Sequence, residues 1–173
     1  VTVDNLDGEG TVSVDVKDTG DVADDPAGNP ISGAFNAGAS HTVDRDAPTV
    51  SSFSTNTPGP TSASVTYTVQ FSETVQNVDG SDFTVGGGVG GSVSNVSGTG
   101  SSYTVDVTGL SGEGTQNLTV DVNDIEDTAG NDLDSGDTSS GRSVATLAPS
   151  IDTFDFDGPP TATDSSVTAS LTF

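Results

Sequence analysis

Val65, Tyr67, Val69 and Phe71 occupy every second position, with Thr66, Thr68 and Gln70 between them. A period of two sends the four apolar side chains to one face of an extended strand and the polar ones to the other. The same period runs through Tyr103, Val105 and Val107, and through Leu118, Val120 and Val122. Nearer the ends it is carried by Val1 and Val3, by Val12, Val14 and Val16, and by Val167, Ala169, Leu171 and Phe173. No stretch repeats at the 3.6 residues of a helix. Between the apolar runs lie Thr57-Pro-Gly-Pro60, Gly86-Gly-Gly-Val-Gly-Gly91 and Ser97-Gly-Thr-Gly100, whose glycines and prolines turn the chain. Short strands at roughly 8–12-residue spacing predict an all-β sandwich. The expected strands lie near 49–54, 64–71, 74–78, 82–85, 91–96, 102–108, 117–122 and 142–146. Residues 132–141, Asp-Leu-Asp-Ser-Gly-Asp-Thr-Ser-Ser-Gly, hold too little apolar surface for a strand and are expected as an exposed loop.

The pattern is repeated. Val105-Asp-Val-Thr-Gly-Leu-Ser-Gly-Glu-Gly-Thr115 answers Val1-Thr-Val-Asp-Asn-Leu-Asp-Gly-Glu-Gly-Thr11, and Asp127-Thr-Ala-Gly-Asn131 answers Asp25-Pro-Ala-Gly-Asn29. Ala148-Pro-Ser-Ile151 answers Ala47-Pro-Thr-Val50, which sets a period of 101 residues. A period of that length is the size of a domain, so the chain reads as tandem antiparallel β-sandwiches. Residues 1–46 are expected to be the C-terminal part of one repeat, 47–147 a complete repeat, and 148–173 the N-terminal part of the next.

Composition narrows the class further. Only 30% of residues are hydrophobic, without Trp or Met, so each unit can build only a thin core made chiefly of Val. Against 26 acidic residues stand Lys17, Arg45 and Arg142, leaving a net charge of −23. Nucleic acid and anionic membranes would be repelled, because binding to them draws on Lys and Arg. An acidic coat poor in Lys resembles the surfaces of proteins from salt-loving organisms, where repulsion is screened within about 3 Å at 1 M salt. Cysteine is absent, so no disulfide staples the fold. No apolar run approaches the ~20 residues of a membrane span. The chain is expected to be an internal or processed piece of a larger secreted polypeptide, extracellular and on a cell surface or appendage.

Phe71-Ser-Glu-Thr-Val75, Asp82-Phe83 and Asp127-Thr-Ala-Gly-Asn131, with Asp44-Arg-Asp-Ala-Pro48 at the join, resemble the bacterial immunoglobulin-like repeats of large surface adhesins and surface-layer proteins. The resemblance implies tandem immunoglobulin-like sandwiches, a stalk, filament or surface-layer role, calcium at domain joins, and no enzymatic activity. Partners would be adjacent identical repeats or subunits, head to tail. The alternative is an adhesin module that takes a glycan or cell-surface ligand through loops 79–91 or 132–141. The absence of Trp and the strand positions of both Tyr favour scaffolding over sugar recognition.

Calcium seeks six to eight oxygens, which Asp-rich loops beside an Asp-x-Asp linker can supply. At the first join the candidates are Asp24, Asp25, Asn29, Asp44 and Asp46. At the second, Ala145 and Leu147 replace the linker acids, leaving Asp124, Glu126, Asp127 and Asp132. Gly28 and Gly130 are expected at positive φ in tight turns, closed by side-chain bonds from Asn29 and Asn131. Asn95-Val-Ser97 and Asn117-Leu-Thr119 fit the N-glycosylation pattern. A single His41, no Cys and no aromatic-lined cleft leave neither a nucleophilic triad nor a desolvated carboxylate pair in view.

Overall fold

The computed structural model describes residues 2–16, 26–29, 35–56, 63–156 and 169–172. Among them the regular structure is strand, apart from a 3-10 turn at Gly80–Asp82. In chain order the strands are β1 Gly10–Val16, β2 Phe35–Val43, β3 Val50–Thr55, β4 Ser64–Phe71, β5 Val75–Gln76, β6 Phe83–Gly87 and β7 Gly90–Thr99. They continue with β8 Ser102–Ser111, β9 Glu113–Val120, β10 Glu126–Asp127, β11 Asp137–Thr138, β12 Arg142–Ala145, β13 Thr153–Phe156 and β14 Ala169–Thr172.

Two sheets make the central body. One is four-stranded and antiparallel, ordered β3–β4–β8–β7. The other is built around β9, which pairs with β6 on one side and with β11 and then β12 on the other. A short β5–β10 ladder joins Val75 to Asp127. The alternation read along β4 is realised: Val65, Tyr67, Val69 and Phe71 are buried, while Thr66, Thr68 and Gln70 are half-buried on the opposite face. Val105 and Val107 of β8 and Leu118 and Val120 of β9 are fully buried in the same cluster, closed by Ile125, Leu133 and Val144. Phe71 meets Tyr103 edge to face, with ring centroids 5.9 Å apart. Burying one such aliphatic side chain contributes about 1.5–3 kcal/mol, so a core of this thickness depends on every member.

Two readings of the sequence are corrected by the packing. The strand expected over 117–122 is β9, Glu113–Val120, and Val122 lies outside it, 51% exposed. The inward row runs Gln116, Leu118, Val120, so a polar residue holds a core place that apolar periodicity passes over. Residues 132–141 are also more than an exposed loop. Leu133 is 2% exposed and its N–H donates to Ile125 O at 2.9 Å. Ser139 is buried and β11 pairs with β9. One leucine and one strand-edge hydroxyl anchor a segment whose average composition is hydrophilic.

The flanking hairpins repeat the registers of the central ones. Phe154 pairs with Leu171 and Asp155 with Ser170, as Phe53 pairs with Val69 and Ser54 with Thr68. Gly10 pairs with Val43 and Thr11 with Thr42, as Gly114 pairs with Val144 and Thr115 with Ser143. Their apolar faces stay open: Val14 is 41% exposed and Leu171 45%, whereas Leu118 and Val69 are fully buried.

Leu118→Ala is expected to lower the unfolding free energy by about 2–5 kcal/mol in urea denaturation, because the sheets flanking the cavity relax only partially. Leu147→Ala, at a position 71% exposed, is expected to change it by no more than about 0.5 kcal/mol.

Candidate functional site

The turn after β10 begins with a buried carboxylate. Asp127 Oδ1 accepts the N–H groups of Ala129 at 2.7 Å and Asn131 at 2.9 Å, and Oδ2 accepts Asn131 Nδ2 at 2.8 Å. Gly130 sits at φ +90°, a conformation that a side chain would strain. The expected positive φ is therefore present at Gly130, and at Gly28 with φ +79°. The closing bonds differ from expectation, because Asp127 rather than Asn131 ties the turn. Asn131 reaches outward instead: its Nδ2 donates to Asp44 O at 3.2 Å, with Asp46 O at 3.5 Å.

That reach fastens the turn to the linker entering the domain. Asp134 N–H donates to Pro48 O at 3.0 Å, and Thr49 N–H to Ser72 Oγ at 2.9 Å. Three of the four sequence motifs, at 44–48, 71–75 and 127–131, thus meet at one pole of the sandwich. Their carboxylates converge as well: Asp44, Glu73 and Asp127 each place an oxygen within 4.8 Å of the others. Asp44 and Glu73 are half-buried and Asp127 is buried. Beside them a cleft of about 580 Å³ opens between His41–Arg45 and Thr128–Ala129. Arg45 turns away from the acids and donates to Leu6 O.

Opposed electrostatics act within this group. Burial raises the Glu73 carboxyl above its ordinary value, and the negative charges of Asp127, Asp44 and Asp46 push it further the same way. Burial also pushes Asp127 upward, yet the hydrogen bonds from Asn131, Ala129 and Gly130 outweigh it and hold Asp127 below the usual carboxylate range. Glu73 therefore takes a proton more readily than Asp127 does.

The residues proposed from sequence fall into new company. Asp127, assigned to the second join, lies at the first with Asp44, and Glu73 completes the trio. Asp46 is exposed, with its N–H on Asp44 Oδ1 at 3.2 Å. Glu126 is half-buried in β10 and accepts Asn77 Nδ2 at 3.3 Å. Asp124 and Asp132 are exposed. Asn29 is exposed, and Asp24 and Asp25 lie outside the described residues. In the sequence Glu73 stands out only as part of a family motif; its place two residues before β5, 54 positions from Asp127, gives no local metal spacing.

A second acidic feature is structural. Asp79 and Asp82 cap the 3-10 turn reciprocally, and Asp82 is fully buried with Asn123 Nδ2 on Oδ1 at 3.3 Å. Burial raises its carboxyl despite those bonds, while bonds from Ser81 lower Asp79. The two sequons differ in access. Asn95 is exposed on strand β7 at the margin of its sheet, and Asn117 is half-buried on β9 between β6 and β12.

The bacterial Ig-like domain family matches residues 44–146, which span both sheets and the carboxylate pole. The chain belongs to the bacterial Ig-like domain family. Neither a curated protein nor a solved structure matches it. Bacterial Ig-like domains are typically non-enzymatic modules and commonly lie outside the cell at its surface, and this Ig-like domain is accordingly a structural or adhesion-type surface module. Among the described residues no helix is long and apolar enough to cross a membrane.

Glu73, with a raised folded-state pKa, contributes stability present below its unfolded value and lost as pH rises through the folded one. Asp127, with a lowered pKa, contributes stability present above its unfolded value and lost as pH falls through the folded one. In thermal melts, Glu73→Gln is therefore expected to match or exceed wild type at pH 7 and to lose that advantage on acidification. Asp127→Asn is expected to melt lower at pH 7, with the gap closing at acid pH.

Proposed function

We propose that this chain is a segment of a tandem array of Ig-like domains that supplies length and stiffness to an extracellular stalk, filament or surface layer in salty water. The observation that carries this reading is the register that the flanking hairpins share with the central domain, at residues 10–12 with 41–43 and along β13–β14. β1–β2 pairs as the closing hairpin of the central domain pairs, and β13–β14 as its opening hairpin, so the strand program of one sandwich recurs on both sides. The carboxylate pole supports it, because Asn131 and Asp134 clasp the incoming linker to the domain body. Such a clasp limits the angles the linker can take.

Loop chemistry favours spacing over adhesion. The one aromatic residue in 79–91 is Phe83, buried at 6% exposure, and 132–141 has none. Neither loop offers a ring for a sugar to stack on.

Calcium fits the pole by donor chemistry. Hard oxygen ligands from Asp44, Glu73 and Asp127 would hold it, and its charge would offset the burial and the carboxylate repulsion that together raise Glu73. In an array the ion would tie the linker residue Asp44 to the domain body. High salt would serve the remaining acids by general screening.

Force spectroscopy on the chain between end handles is the test. The spacer reading expects one unfolding event with a contour gain of roughly 350 Å, the extended length of residues 44–146. Featureless extension would contradict it. Calcium added to chelated protein at constant ionic strength is expected to raise the melting midpoint, and to do so less in Glu73→Gln; an unchanged wild-type melt removes the ion from the reading.

A further inference from the structure

At the side of the sandwich where β3 and β12 face each other, the two sheets leave a cavity of about 420 Å³. That volume lies in the range that holds a small ligand. Its floor is polar in a core that is otherwise mostly apolar. Tyr67, 1% exposed, donates its hydroxyl to Gln116 Oε1 at 2.7 Å, and fully buried Gln116 donates Nε2 to Asn117 O at 2.7 Å. At the rim, Arg142 reaches between the sheets and donates NH1 to Thr55 Oγ1 at 3.0 Å. Arg142 is the sole basic residue between Ala47 and Leu147. Phe53, Ser139 and Ser140 line the rest.

The sandwich does not demand this set. Two cross-strand pairs form it, Thr55 with Tyr67 and Gln116 with Arg142. At the same register places the flanking hairpins have Phe156 with Ala169 and Val12 with His41. All four polar side chains change together, and the strands still pair in the same register. Buried polar groups cost stability unless bonded, so a copy that carries two buried and two half-buried ones where its neighbours carry two aliphatic residues, a phenylalanine and an exposed histidine is specialised.

We propose that this cavity is a binding site for a carboxylate-bearing saccharide unit. The guanidinium supplies a planar, permanently charged fork for the carboxylate. Thr55, Ser139 and Ser140 offer hydroxyls to the ring hydroxyls of a sugar, and Phe53 offers an apolar surface for its C–H face. The buried Tyr67–Gln116 pair holds the floor rigid. The acids elsewhere on the domain repel an anion at long range, so the site works where salt screens them and leaves the short-range pair at Arg142. This goes beyond the spacer reading and does not depend on it.

The test is two-dimensional amide NMR of the whole chain in 1 M NaCl, titrated with glucuronate, galacturonate and, for comparison, glucose. The proposal expects saturable shifts at Thr55 and Ser139–Ser143 at about millimolar uronate, and binding of glucose at least tenfold weaker. Arg142→Gln is expected to abolish the preference for uronate. Because Arg142 also bridges the sheets, Ser140→Asp is the second variant: Ser140 is exposed, and a carboxylate there is expected to weaken uronate binding at least tenfold with core resonances unmoved. No saturable shifts at the cavity with either uronate, equal affinity for glucose, or unchanged affinity in Ser140→Asp would each overturn the proposal.

Discussion

Everything in this molecule depends on a narrow apolar seam withstanding a large excess of negative charge. The seam is formed where Val65, Val69, Val105 and Val107 of one sheet meet Leu118, Val120 and Val144 of the other. The chain has 30% hydrophobic residues and a net charge of −23, and among the described residues this is the core cluster that bears the burden. Self-repulsion of the coat opposes compaction, and screening by salt relieves it without touching the seam. Screening of the acidic coat therefore stabilises the domain without any change in its core.

Local order at the carboxylate pole follows from the same constraint. The domain buries Pro48 of its linker and fixes the rest with hydrogen bonds. Asp127 spends three acceptor positions on its own turn, and Asn131 spends its amide on the linker carbonyls. The arrangement gathers three carboxylates in one place, where burial and then their mutual repulsion raise Glu73. A cation, or a proton, relieves what the turn chemistry imposes. Asp82 tells a related story at the 3-10 turn, where a buried carboxylate is kept because its bonds to Asp79 and Asn123 define the entry to β6.

Sequence periodicity made the sheets legible where side chains alternated cleanly. β4 occupies the expected 64–71, and β3, β8 and β12 lie within a few residues of expectation. It failed where one residue broke the code. Gln116 stands in the inward row of β9, so apolar counting slid the strand toward exposed Val122. Leu133 and Ser139 were hidden in an acidic, serine-rich stretch, because a single buried leucine does not produce a period. The candidate site was legible in parts. Asp44 and Asp127 were singled out, but their meeting is a tertiary fact, and Glu73 could be found only by knowing that the end of β4 returns to the linker. The Tyr67–Gln116–Arg142 set was invisible for the same reason, since its members lie on three strands.

Amide hydrogen exchange across the whole chain measures the seam directly. If the two sheets form one cooperative body, the amides of Val65, Val69, Val105, Val107, Leu118 and Val120 will share a single, highest opening free energy. Those of β1 and β13, whose apolar faces are open, will exchange far faster. Equal protection in β1, β13 and the central strands, or separate opening energies for the two sheets, would contradict the account.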